Sequence, residues 1–214
     1  MMRPDPKSKA WVEWTLASQK SNGYFGPDTD RDYERLQRDN AQDWWPKMVM
    51  LKVLQQYYSA TNDQRVISFL TNYFKYQLSE LPKSPLGKWT FWAEQRGGDN
   101  LMVVYWLYNI TGDPFLLELG ELIHKQTFNW TDVFLNQDHL ARQNSLHCVN
   151  LAQGFKEPVI YYQQSIILKI WKRLRKLYGK CVIRLVFLQD YGREMNFYVS
   201  VTRHKDQNSV PLSR

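Results

Sequence analysis

Cysteine is scarce in this 214-residue chain: Cys148 and Cys181 stand far apart. They match neither a metal-ligand spacing nor a disulfide framework, so no thiol chemistry is legible in the written residues. Long apolar runs are missing as well. No uninterrupted stretch approaches the roughly 18–20 residues that a membrane span requires, and nothing near the N-terminus has the apolar core of a secretory leader. The expectation is a soluble chain with no membrane partner and no export signal as written. Its localisation stays open, because domain patterning begins almost at once, as though upstream sequence were missing. A basic binding surface is also lacking, despite a formal charge of +7. Residues 1–164 carry 17 Lys and Arg against 18 Asp and Glu, whereas residues 165–214 carry 11 against 3. The basicity belongs to the tail alone, and a nucleic-acid partner is not expected.

Aromatic residues are abundant, with nine Trp, thirteen Tyr and ten Phe. Such a load suits a large core or a carbohydrate-lined cleft. Residues 7–21 form an expected helix with Trp11, Trp14 or Thr15, and Ser18 near one face, stopped at Asn22-Gly23. A second helix is expected over 44–61 and a third from the Asn62-Asp63 break to residue 81. In the third, Val66, Phe69, Leu70, Tyr73 and Gln77 recur at helical spacing. Tyr58-Ser-Ala-Thr61-Asn-Asp63 then returns as Tyr108-Asn-Ile-Thr111-Gly-Asp113, 50 residues later. A third copy begins at Tyr161-Tyr162-Gln163-Gln164 and is lost. Helix pairs repeating at this period make either a solenoid or a closed toroid, since each hairpin needs neighbours to cover its apolar face. Asp113-Pro114 fits an N-cap followed by proline in the first helical position.

The stretch 144–164 carries the strongest hint of a site. At helical spacing His147, Asn150, Gly154 and Pro158 share a narrow polar strip on a segment that is otherwise apolar. A glycine there lets something approach the backbone closely, and Pro158 removes the hydrogen bond to Gly154 and kinks or ends the helix. A satisfied core histidine and asparagine fit the strip equally well. Asp99 and Asn100, in Arg96-Gly-Gly-Asp-Asn100, begin a helix and can serve either a ligand hydroxyl or the helix's own free amides. Trp44 and Trp45 can stack on a flat ligand face or fill the core. His124 and His139 have the look of surface or loop residues.

HCVNLAQGFKEPVIYYQQ, together with WWPKMVMLKVLQQYYSATND, RGGDNLMVVYWLYNITGDPFLLELGELIHKQT and NWTDVF, resembles the catalytic domain of the β-L-arabinofuranosidase-type glycoside hydrolases. The resemblance covers residues 9–164. It implies an all-α fold, a partial (α/α)6 toroid of antiparallel hairpins, and a carbohydrate substrate, a β-L-arabinofuranoside or a related plant or microbial glycan. It places His147 at a family histidine that faces the pocket. Trp44, Trp45, Asp99, Asn100 and Asn150 join it as candidate substrate-binding residues. Members of this family are often exported. The resemblance also implies retaining cleavage by a zinc-held cysteine thiolate as nucleophile with a glutamate as general acid/base. Zinc keeps a coordinated thiol deprotonated, while the carboxylic acid protonates the leaving oxygen.

None of that machinery matches the written residues. The family's Glu-x-Cys element and its later cysteine pair fall beyond Gln164, and Cys148 sits in the earlier HCVN helix. No catalytic or metal-binding residue, and no cofactor in this chain, is therefore assigned. The tail explains the loss. Reading the codons permitted for Arg203–Arg214 from each third base allows Thr-Gln-Gly-Ser-Glu-Leu-Cys-Ser-Ala-Val-Glu, which contains the family's Glu-x-Cys. The same frame across Arg193–Asn196 allows Gly-Asp-Glu, a second family motif. Two domain segments follow: 1–164, an incomplete glycosidase barrel, and 165–214, a frameshifted tail that is not a domain. The expected function is a glycoside hydrolase fragment, inactive as written, and the alternative is a non-enzymatic helical-repeat interaction scaffold.

Overall fold

A computed structural model describes residues 6–26, 43–88, 91–136 and 148–165. They belong to the first of two units, Met1–Trp171; the second, Lys172–Arg214, lies outside them, as do His147 and the frameshift expected in the tail. Among the described residues the chain is all-α, with no strand. In order come α1 (Pro6–Ala17), α2 (Trp45–Thr61), α3 (Gln64–Glu80), α4 (Phe91–Gln95), α5 (Gly97–Thr111), α6 (Phe115–Gln126), α7 (Trp130–Asn136), α8 (Cys148–Gly154) and α9 (Lys156–Ser165).

The long helices form two hairpins, α2 with α3 and α5 with α6. Helices α2, α5 and α9 pack side by side in one row; α3 and α6 form a second row, with α1 against α3. This is the hairpin-on-hairpin packing of part of an α/α toroid. Each hairpin buries one apolar stripe against its neighbours: Val66, Phe69, Leu70, Tyr73, Phe74 and Gln77 from α3 and Leu116, Leu119 and Ile123 from α6. Full burial of each such aliphatic side chain stabilises the fold by about 1.5–3 kcal/mol.

The repeated hexapeptides adopt one turn twice. After α2, Asn62 takes a left-handed conformation (φ 57°), and its N–H donates to the Tyr58 carbonyl at 2.7 Å. After α5, Gly112 (φ 71°) donates to the Tyr108 carbonyl at 2.8 Å. Asparagine and glycine share this place because they tolerate a backbone that other residues resist. The threonine before each holds a carbonyl of the last turn: Thr61 Oγ1 donates to Tyr57 O and Thr111 Oγ1 to Leu107 O. Each hydroxyl also accepts the next aspartate's N–H at 3.3 Å. The copies then diverge. Asp63 caps α3 through the Arg65 N–H, whereas Asp113 makes no such bond; Pro114 holds the N-cap place and α6 starts at Phe115. The expected proline start is thus displaced by one residue, because Pro114 already has helical angles and the ladder closes one step later.

Helix α1 is shorter than its sequence pattern predicts. It stops at Ala17, where Ser18 Oγ donates to the Thr15 carbonyl and the turn at Asn22-Gly23 folds back against α3. Its buried face is Val12 and Thr15; Trp11 and Trp14 are 66% and 63% exposed. The break between α8 and α9 falls at Phe155. The Gly154 carbonyl is the acceptor that Pro158 cannot use, so the ladder fails there as expected and restarts at Lys156.

Near the start of α2, Lys47 is buried, its Nζ 3.2 Å from the Asp43 carbonyl and 5.0 Å from the centre of the Tyr24 ring. Burial pulls its pKa from 10.5 down to about 8, with Asp43 acting the other way. The unfolded chain therefore holds this proton more tightly than the folded one. The group's favourable contribution is complete above the unfolded value and is lost as pH falls through about 8. Replacing Lys47 by Met should raise the unfolding free energy at pH 7 by up to about 3 kcal/mol, and the gain should shrink to near zero by about pH 10.5. Denaturant melts of both proteins across that range measure it; a gain independent of pH would refute the assignment.

Candidate functional site

The first residues of α2, α5 and α9 meet at one place. Arg96, in the turn between α4 and α5, joins them: its guanidinium carbon lies 5.9 Å from the Trp45 ring centre, and its Nε donates to Asn150 Oδ1 at 2.9 Å. Burial pushes the Arg96 pKa down, and Asp99 opposes it. Across the same junction Lys156 Nζ donates to Asp99 Oδ1 at 2.7 Å and to Gln153 Oε1. Lys52 of α2 faces this pair. Its pKa is lowered first by burial and then by Lys156, with Asp99 countering. This partly buried cluster of three cations and one carboxylate, with Asn150 bonded to Arg96, offers a ligand several directed hydrogen bonds.

One turn beyond Arg96, Asn100 is 0% exposed, and neither its Oδ1 nor its Nδ2 has a hydrogen-bond partner, a state it shares with the Gln77 amide and the Tyr73 hydroxyl on α3. A buried amide left in this state costs about 1–3 kcal/mol. The capping alternative does not account for Asp99 or Asn100, since α5 has no side-chain cap and begins two residues upstream of Asp99, at Gly97.

The adjacent glycines let this junction form. A Cβ on Gly98 would lie 2.9 Å from the Glu157 backbone nitrogen and 3.0 Å from its Cα; one on Gly97 would collide with Thr127 Oγ1. The start of α5 thus rests directly on the start of α9 and the end of α6. Gly154 has a similar role: its absent Cβ leaves room for the indole of Trp130, whose Nε1 donates to the Gln95 carbonyl at 3.0 Å. The close approach expected at Gly154 is therefore filled by the protein itself.

Three of the sequence candidates, Trp45, Asp99 and Asn150, come together here, while Asn100 is fully buried within α5. Trp44 takes the core alternative. It is fully buried, its Nε1 donating to the Ser84 carbonyl at 2.8 Å, and it has no face to offer a ligand. Arg96, Lys156 and Lys52 were not singled out in the sequence, because their pairings across the junction join residues far apart in the chain. His124, read as a surface or loop residue, instead lies within α6. Its Nδ1 meets the carboxylate of buried Glu157, and its ring stacks on Tyr161 with centroids 3.5 Å apart. Tyr161 donates in turn to Glu121 at 2.7 Å, locking α9 onto α6.

Among the described residues no three His, Cys, Asp or Glu side chains gather as a metal site, so this part of the chain offers zinc no donor set. No described helix is long and apolar enough to cross a membrane. Gly98→Ala should cost about 1–3 kcal/mol, because the obstacle is backbone rather than a movable side chain. Chemical denaturation checks this; a neutral substitution would mean that α5 and α9 are not in such close contact.

Against known proteins, one family model matches residues 3–184, described as "Beta-L-arabinofuranosidase, GH127 catalytic domain". The match extends past Gln164, where the quoted motifs end. No curated protein and no solved structure matches the chain.

Proposed function

Because the chain belongs to the GH127 β-L-arabinofuranosidase catalytic-domain family, we propose that it is part of a glycoside hydrolase for β-L-arabinofuranosides or related glycans. Its described residues form a sugar-binding wall. The observation that carries this reading is the half-buried polar junction beside Trp45, where Arg96 Nε donates to Asn150 Oδ1 and Lys156 Nζ donates to Asp99 Oδ1. A furanose ring presents hydroxyls that both donate and accept, so it can bond to Asp99 and Lys156 together. Trp45 offers an apolar face to the C–H side of the same ring.

The chemical step belongs elsewhere. Bound zinc would supply a thiolate nucleophile at neutral pH, but neither a Glu-x-Cys element nor a described donor set is present to hold it. The residues in hand bind and orient; the chain as written does not cleave. Zinc content and hydrolysis of an aryl β-L-arabinofuranoside, measured in parallel for this chain and for the gene restored to the shifted frame, test the division. This chain should show no turnover, and the restored protein should show both turnover and bound zinc. Turnover by this chain would overturn the assignment of the chemistry, while a folded but inactive restored protein would overturn the substrate class.

Asn100→Leu removes an unsatisfied buried amide, so it should leave stability unchanged or raise it by about 1 kcal/mol. Chemical denaturation measures this; a loss of more than about 1 kcal/mol would mean that the amide is bonded within the fold.

A further inference from the structure

The first turn of α9, which carries Lys156 to the polar junction, is gripped from a second side. Glu157 is buried, and among the described residues its carboxylate has one hydrogen-bond partner, Nδ1 of His124 in the last turn of α6. The His124 ring lies flat on Tyr161, one turn further along α9, at an interplanar angle of 7°, and Tyr161 donates to Glu121, one turn back on α6. Adhesion between two helices does not call for this arrangement, because an apolar pair of similar volume packs as well without burying a charge. What a directed bond adds is a fixed rotation of the helix about its axis. Lys156 and Glu157 are adjacent, about 100° apart round α9, so the rotation that seats Glu157 on His124 also decides where Lys156 points.

We propose that His124 is a positioning residue for the sugar site: by bonding Glu157 it sets the first turn of α9 so that Lys156 Nζ reaches Asp99 Oδ1. The proposal rests on the sugar-binding reading above and deepens it. The neighbouring contacts do not do this work. The helical ladder is broken between α8 and α9, so α8 does not dictate the rotation of α9. The Gly98 backbone abuts the backbone of Glu157, a contact that limits how near the two helices come rather than which way a side chain points. The end of α6 is a firm base for the bond, because Thr127 there rests against Gly97 at the start of α5. One helix end thus seats α5 through Thr127 and orients α9 through His124, and the two helices so placed carry Asp99 and Lys156.

Two substitutions separate the bond from the stacking. His124→Asn keeps a hydrogen-bonding group near the place of Nδ1 but gives up the ring, whereas His124→Phe keeps a ring on Tyr161 but gives up the bond. The first readout is the rate at which acetic anhydride acetylates Lys156 in the whole chain, followed by mass spectrometry, with Asp99→Asn marking the rate for an amine that has lost its carboxylate. Lys156 should react at the wild-type rate in His124→Asn and near the Asp99→Asn rate in His124→Phe, while buried Lys47 stays slow in both. The second readout is calorimetry with methyl β-L-arabinofuranoside, whose affinity should fall about tenfold in His124→Phe and stay near the wild-type value in His124→Asn. A packing role would reverse the order of the two variants or speed Lys47 together with Lys156. Either result, or a Lys156 rate unchanged in both variants, would overturn the proposal while leaving the sugar-binding reading intact. A wild-type protein that binds no sugar would overturn that reading and the part of His124 in it, whatever the acetylation rates.

Discussion

The junction where α5 lands on α9 and α6 organises everything around it. Gly97 and Gly98 bring the backbone of α5 against Thr127 and Glu157 without an intervening side chain. That contact fixes where Arg96, Asp99 and Asn100 project. With a larger residue at either position, α5 and α9 would separate, Lys156 would move away from Asp99, and Arg96 would lose its path to Asn150. The clasp behind the junction adds to the same constraint: His124 meets Glu157 while stacked on Tyr161, which is anchored to Glu121. The polar cluster therefore stands on packed backbone rather than on loops, which is what a preorganised binding surface requires.

The site sits in tension with stability. Arg96 and Lys52 both have depressed pKa values because burial disfavours their charges, and Asn100 keeps its hydrogen-bonding groups unused in the interior. Each lowers the stability of the fold relative to an apolar replacement. Lys47 shows the same penalty away from the cluster, eased by aromatic rings and one carbonyl. The cost falls on a row of helices whose cores are otherwise aliphatic and aromatic, and which can therefore tolerate it.

Local pattern made much of the fold legible in the sequence. Val66, Phe69, Leu70, Tyr73 and Gln77 announce the buried face of α3 because helical periodicity lies within a few residues, and the repeated Tyr-x-x-Thr-x-Asp encodes one turn geometry twice. Long-range pairing was not legible in this way. Nothing in a single sequence joins Arg96 to Asn150, Lys156 to Asp99 or His124 to Glu157, since each bond depends on how whole hairpins are laid together. The motif residues Asp99 and Asn100 could be singled out, but not the reason they matter: one is paired across the junction and the other is left without a partner. Trp44 and Trp45, adjacent in sequence, parted because successive helical positions point about 100° apart, one into the core and one toward the cluster.

The proposed sugar contact is the Asp99–Lys156 pair beside Trp45. The most direct measurement is titration calorimetry of this chain and its Asp99→Asn variant with a methyl β-L-arabinofuranoside. The account predicts saturable binding that weakens about tenfold in the variant. Equal binding by the two proteins would contradict it.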